Sequence, residues 1–396
     1  MSRRAIVFVT LGALVVAVSV LAGVAVAGKG NGNDKTFQYA VGLWGDMPYS
    51  TVQERVGIPN LLADLNSADI QFSVNDGDLK AGQGVNVDSA PCDDALYERA
   101  LGWLNTLEQP AMFTPGDNDW TDCDRTTNGG FNSLERLDHE RQVFFSTSNS
   151  LGTHTMKLEV QATPTCLGFD HVDPQTDITV TKNVPCVENR RWEFGRVMYV
   201  TVNVQGSCNN KCSSGAGDDS AGEAISREAE YTQRNIAVNA WLTDSFAEAK
   251  ANGDVAVMII GQADPGFDLS GAPFAGTSPD APTRDPASLD PAGVNATSKA
   301  PGFKDFLTTL RTQTILFGKP VVYVHGDTHF FRVDKPLLDK DGNRIENFTR
   351  VETFGDNAGH GVNDVHWVKA LIDPQSRDVF AFQAQTVPGN VVTHTP

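Results

Sequence analysis

An α/β sandwich is the fold this chain predicts, and three observations carry it. Short, continuously apolar runs alternate with stretches of helical period. Six of those runs stop on Gly-Asp or a close variant. The chain has 396 residues, 40% apolar and 20% charged, enough for a core of one large or two moderate domains.

Taken in order, FQYAVGLWGD from Phe37 is a buried strand, and Val52 to Ala68 reads as a helix interrupted near Pro59. IQFSVNDGD from Ile70 is a second strand, followed by a helix from about Asp93 to Leu107. AMFTPGDND from Ala111 is a third strand, and Leu134 to Phe145 is helical. Residues 150–190 read as an irregular insertion carrying two cysteines. RVMYVTVNVQG from Arg196 is a strand, Ala221 to Ala251 a long helix, and DVAVMIIGQAD from Asp254 another strand. A loop from Pro265 to Pro301 carries seven prolines, and segments of that length usually border a site or wrap a surface. A helix near Gly302–Thr312 precedes the strand VVYVHGDTH, and RIENFTRVETFGD, VHWVKALID and DVFAFQAQTV close the chain as short strands. There is no internal repeat. The reading is one domain over 37–396, with insertions near 150–215 and 262–300.

The first residues predict export. Arg3 and Arg4 precede an apolar run from Ala5 to Ala27, and Ala25-Val26-Ala27 offers small residues for cleavage. This makes 1–27 a signal peptide and 28–36 a flexible linker. An uncleaved membrane anchor is the alternative, because the run is long enough to cross a bilayer. Either way the expected location is secreted, periplasmic or at the cell surface. The six cysteines agree with an oxidising compartment, and sequence neighbours suggest Cys92–Cys123, Cys166–Cys186 and Cys208–Cys212. A zinc reading of Cys208-x-x-x-Cys212 lacks further Cys or His nearby. Asn295 and Asn347 stand in glycosylation sequons.

A formal charge of −18, with no basic stripe, argues against a nucleic-acid partner. It would also repel an anionic substrate at long range, so phosphate chemistry here requires bound cations.

The strand ends carry the chemistry. GLWGD ends on Asp46, VNDGD on Asp78, FTPGD on Asp117, MIIGQAD on Asp264, VHGD on Asp327 with His329 beyond it, and ETFGD on Asp356. One such pair is an ordinary turn or helix cap. Six of them, most in the α/β core, suggest carboxylates delivered to one crevice beyond the carboxyl ends of the strands. Crowded carboxylates repel one another unless cations hold them.

In this order, GDMPY, DGDLK, GDND, IIGQAD and HGDTH resemble the motifs of the calcineurin-like metallophosphoesterases, over residues 37–385. The resemblance implies a two-sheet β-sandwich flanked by helices, in four layers α/β/β/α. It also implies phosphomono- or diester hydrolysis by a hydroxide bridging two divalent cations. On that pattern Asp46 binds the first metal, Asp78 bridges both, and His329 completes the first site, with Asp327 where the family has another histidine. The third motif fits in two registers: Asn118 as the ligand with Asp119 beside it, or Asp117 as the ligand with Asn118 replacing a histidine. Pro48 and Gln262 stand where two further histidines are expected.

Oxygen-rich ligands favour Mn²⁺ or Mg²⁺ over Zn²⁺, with Ca²⁺ open. With the third-motif histidine missing, Asp119 raised by burial is the candidate proton donor, with Asn118 beside it. His139, His325, His360 and His366 are further candidates, although His325 and His366 also read as packed strand residues. The expected partner is a small phosphoester, with a membrane involved only if the leader stays. Two rival readings remain: a secreted protein of the same fold that binds a metal or ligand without turnover, and a surface protein stiffened by Ca²⁺.

Overall fold

The computed structural model describes residues 38–82, 90–211, 221–265, 302–339, 341, 343–355 and 358–395. The leader, the linker, nearly all of the proline-rich loop with Asn295, Cys212 and Asp356 lie outside the described residues. Among those described, no helix is long and apolar enough to cross a membrane.

The strands are β1 Tyr39–Trp44, β2 Ser73–Asn75, β3 Ala111–Phe113, β4 Glu159–Val172, β5 Thr179–Phe194, β6 Val197–Thr201, β7 Ala256–Ile260, β8 Val321–His325, β9 Arg332–Asp334, β10 Phe348–Glu352, β11 Trp367–Ile372 and β12 Phe380–Gln385. The main helices are α1 Ile58–Ser67, α2 Asp94–Thr106, α3 Ser133–Phe144, α4 Ala221–Asn252 and α5 Lys304–Phe317. The described strands form two sheets, ordered β12-β11-β1-β2-β3 and β4-β5-β6-β7-β8-β10-β9. This is the mixed α/β sandwich the alternation predicts.

Three apolar clusters fix the layering. Between the sheets lie Val41, Leu43, Phe72 and Val74 from the first and Trp192, Tyr199, Met258 and Val324 from the second. Phe72 meets Tyr199 edge-on at 4.9 Å, while Trp192 stacks on Tyr199 at 5.5 Å. On the outer face of the five-stranded sheet, Trp44 and Phe113 pack with Leu61, Leu65, Tyr97 and Leu104 of α1 and α2. On the outer face of the seven-stranded sheet, Val200, Ile259 and Tyr323 pack with Trp241, Phe246, Phe306 and Leu310 of α4 and α5. Helix, sheet, sheet and helix follow one another in layers.

The helix expected from Val52 starts as a π-type turn, Gln53–Gly57, before α1, with Pro59 in the opening turn where its missing N–H is harmless. Asp93 caps α2 by accepting from the Leu96 N–H at 3.0 Å.

The reading of 150–190 as irregular is corrected. The segment holds the long antiparallel hairpin β4–β5, extending the larger sheet at its edge. Register shifts at Val160/Gln161, Gln161/Cys166 and Phe169/His171, together with Pro164, break the period-2 signal. One face of the hairpin rests on α3 and α4, where Cys166–Cys186 crosses it and Arg141 pairs with buried Glu188 at 2.6 Å. The short strand β9 is a further element that its polar sequence hides.

Strand direction positions the site. β1, β2 and β3 run parallel, as do β6, β7, β8 and β10. Backbone bonds from Asp46 N to Gly77 O (2.9 Å) and from Gly326 N to Gln262 O (3.0 Å) hold neighbouring strand ends together.

Candidate metal centre

Three of the predicted residues converge. One ligand atom each of Asp46, Asp78 and His329 lies within 4.8 Å of the others. Asp46 and Asp78 are buried, and His329 Nε2 stands 3.3 Å from Asp46 Oδ1. Asp46, Asp78, Asp327 and His329 all adopt positive φ, between 51° and 69°. Asp and His tolerate this left-handed turn better than most residues, and it swings each side chain back over its strand end.

The glycines of these motifs act across motifs. A Cβ on Gly326 would lie 1.4 Å from Asp46 Oδ2, and one on Gly116 would lie 2.1 Å from Asp78 Oδ1. Each glycine thus makes room for the carboxylate of a different motif.

Charge compensation is thin. Among the described residues neither Asp46 nor Asp78 forms an ion pair with an arginine or lysine, and Asp46 Oδ2 has no hydrogen-bond partner. Burial, then Asp117 and Asp46, push the Asp78 carboxyl well above the usual range. Burial and Asp46 do the same to Asp76, whose Oδ2 accepts from Thr353 Oγ1 at 2.9 Å. Lys80 is buried nearby, and burial brings its ammonium down to about 8 against the pull of Asp119, Asp122 and Asp78.

The third motif presents Asn118, not Asp117, to the cluster. Asn118 Nδ2 donates to Asp78 Oδ2 at 2.7 Å and to the Tyr49 hydroxyl at 2.9 Å. Asp117 accepts from Ser207 Oγ at 2.8 Å, a hydroxyl equally close to Asp122 Oδ1. Asp119 is not aimed at the cluster. Its oxygens accept the N–H groups of Asp78 (2.9 Å), Leu79 (2.6 Å) and Gly116 (2.8 Å), so it ties the β2 and β3 loops together. Burial outweighs those bonds and sets its carboxyl at about 6. Cys92–Cys123 closes the same loop from below, as expected. Cys208 belongs to the third expected pair, whose other member, Cys212, lies outside the described residues.

Gln262 and Asp327, expected as ligands, bond to backbone around the cluster. Gln262 Oε1 accepts from Gly206 N at 2.6 Å. Asp327 Oδ2 accepts from Asp264 N at 3.0 Å, while its own N–H donates to Asp46 Oδ1 at 2.9 Å.

The other histidines serve elsewhere. His366 Nδ1 accepts from Val387 N at 3.2 Å and its ring meets Phe354 edge-on. His139, on α3, packs against Tyr97 of α2, and His360 stands in a short exposed turn. His325 is buried, stacks on Tyr323 and is brought down to about 3 by burial, so it stays neutral. It joins Asp264 and Glu352 in a second group within 4.8 Å, whose charge is met by Arg332.

Sequence reasoning missed Tyr49. Its hydroxyl donates to Asp78 Oδ2 at 2.6 Å and lies 3.4 Å from Asp46 Oδ1 and 3.3 Å from His329 Nε2. Burial and then Asp78 push its ionisation well above the ordinary tyrosine value, so it remains a neutral phenol. The signal lay in GDMPY, where an aromatic hydroxyl follows a ligand carboxylate by three residues.

No family model and no curated protein matches the chain. Among solved structures it is similar to GAP50, the anchor in the inner membrane complex of Plasmodium, at 9% identity and a TM-score of 0.35, covering 88% of each chain.

Proposed function

We propose that the chain is an exported hydrolase of small phosphoesters that depends on a divalent cation held by Asp46, Asp78 and His329. The observation that carries this reading is the convergence of two buried carboxylates and an imidazole, with no arginine or lysine paired to either carboxylate among the described residues. Buried charge without a partner is unfavourable, and an external cation meets the deficit. The donor set is two carboxylates and one imidazole, which suits Mn²⁺ or Mg²⁺ better than a thiolate-seeking metal. Such an ion would supply Lewis acidity toward a phosphoryl oxygen and an acidified water.

The chain's own groups would do the rest. Asn118 holds Asp78 by its amide and its backbone N–H, at 2.7 Å and 3.1 Å. The Asp327 N–H orients Asp46. The second cation of the resemblance has less support, because Gln262 and Asp327 spend oxygens on Gly206 and Asp264. The disulfides Cys92–Cys123 and Cys166–Cys186 fit an oxidising compartment, which together with the apolar N-terminal run supports export.

A second reading is a secreted binding protein of this architecture without turnover. It is favoured by the Tyr49 hydroxyl among the ligands and by Pro48 and Gln262 where nitrogen ligands were expected.

The test is hydrolysis of an aryl phosphate monoester and diester by chelated protein resupplied with Mn²⁺, Mg²⁺ or Ca²⁺, with Asp78→Asn as control. Cation-dependent turnover lost in the variant is the expected result. Cation binding with no turnover of either ester supports the second reading. Turnover that survives Asp78→Asn overturns the ligand assignment.

A further inference from the structure

The geometry points to Tyr49 as an internal occupant of the cation position, so that a cation enters only by displacing its hydroxyl. This rests on the reading of Asp46, Asp78 and His329 as ligands. The phenol oxygen lies 2.6 Å from Asp78 Oδ2, 2.9 Å from Asn118 Nδ2, 3.3 Å from His329 Nε2 and 3.4 Å from Asp46 Oδ1. It is in reach of all four at once. A divalent ion bonded to those carboxylate and imidazole atoms sits about 2.0–2.2 Å from each. An ion that close to Asp78 Oδ2, on the side of the hydroxyl, contends with the phenol oxygen, which lies 2.6 Å from the same atom.

The bonding of the hydroxyl favours displacement over coordination. Its single proton is given to Asp78, and its lone pairs face the Asn118 amide hydrogen. Asp78 Oδ2 is thus already bonded to a neutral donor. Tyr49 acts toward Asp78 as a cation would, at far lower charge.

The segment carrying Tyr49 leads from the buried cluster to the surface. Tyr49 N donates to Gln53 Oε1 at 2.6 Å, and the ring meets His329 edge-on at 5.2 Å. The chain then runs along the surface, with Val52 and Val56 each nearly half exposed, into the π-type turn Gln53–Gly57. Such turns are frequent at functional sites.

The experiment is calorimetric titration of the chelated full chain with Mn²⁺, for the natural protein, Tyr49→Phe and Asp78→Asn. Tyr49→Phe keeps the ring and removes only the competing hydroxyl. Amide exchange over residues 47–57 is followed in parallel. The expected result is Mn²⁺ binding roughly 10- to 100-fold tighter in Tyr49→Phe, the worth of two or three hydrogen bonds no longer broken. Mn²⁺ is also expected to speed exchange over 47–57 in the natural protein, and much less in the variant. Should Tyr49→Phe fail to fold, Tyr49→Leu is titrated in its place. Equal affinities overturn the displacement while leaving the ligand assignment standing. Weaker binding in Tyr49→Phe overturns it in favour of the hydroxyl as a ligand. No Mn²⁺ binding by either protein removes both the displacement and the ligand reading beneath it.

Discussion

Among the described residues, two regions bring two carboxylates and a histidine within 4.8 Å: Asp46, Asp78 and His329, and, further along the same strand ends, Asp264, His325 and Glu352. By residue type they are twins. What answers their charge differs. In the second, Arg332 Nε lies 2.6 Å from Glu352 and Arg332 Nη2 lies 3.1 Å from Asp264, with Arg350 3.9 Å from the same carboxylate. In the first, a neutral phenol and an amide stand where a guanidinium would be. The second cluster is closed by the protein's own cations and works as scaffold. Glu352 Oε1 takes the Thr328 hydroxyl at 2.5 Å and the Phe330 N–H at 2.9 Å, gripping the turn that presents His329. A list of potential ligands does not distinguish a metal centre from an ion-pair network. The charge balance around the two groups is where they differ.

The comparison breaks most visibly at Asp78. Asp78→Asn is expected to weaken Mn²⁺ binding at least about 100-fold, since even indirect support of a metal site is worth about 10- to 100-fold. Glu352→Gln is expected to change it far less. Calorimetric titration of both variants checks this, and equal losses would erase the distinction between the clusters.

Arg332→Met probes the other side. It leaves Glu352 and Asp264 without their closest cation, and breaking a buried pair on one side costs about 3 kcal/mol. Urea denaturation of chelated protein measures it. A loss well under 1 kcal/mol would show that the arginine is not what satisfies this cluster.

How much of this was legible in the sequence follows from the distance over which each contact forms. The approach of Asp46, Asp78 and His329 was readable because each follows a strand, with a glycine within the three residues before it, and α/β architecture gathers strand ends. The partnership of Glu352 with His325 was not. It depends on β10 lying parallel to β8, with Glu352 in register with His325, a pairing no local pattern announces. Arg332 comes from β9, whose three residues are too polar and too few for a periodic signal. Asp119 misled for a different reason. Its neighbours in sequence are ligand-like, yet its oxygens are taken by the backbone N–H groups of Asp78 and Leu79, 41 and 40 residues earlier, and of Gly116. The β4–β5 hairpin escaped because Pro164 and its register shifts break the alternation by which strands are recognised.

The smallest expected effect is on pH dependence. Burial, outweighing Arg332, raises the Glu352 carboxyl from 4.5 to about 7. The folded protein then holds a proton that the unfolded chain releases near 4.5. The associated stability is full below that pH and is lost as pH rises to about 7. Glu352→Gln is expected to flatten the fall in stability between about pH 5 and pH 7.5 by something on the order of 1 kcal/mol. Denaturation curves across that range would show it, and an unchanged slope would assign the titration to another group.

Anomalous diffraction from crystals soaked in Mn²⁺ tests the central contrast most directly. One peak among Asp46 Oδ1, Asp78 Oδ2 and His329 Nε2, with the Tyr49 hydroxyl swung aside and no density beside Asp264, His325 and Glu352, is the result this account requires. A peak in the arginine-bearing cluster, with the first left to its phenol, would contradict it.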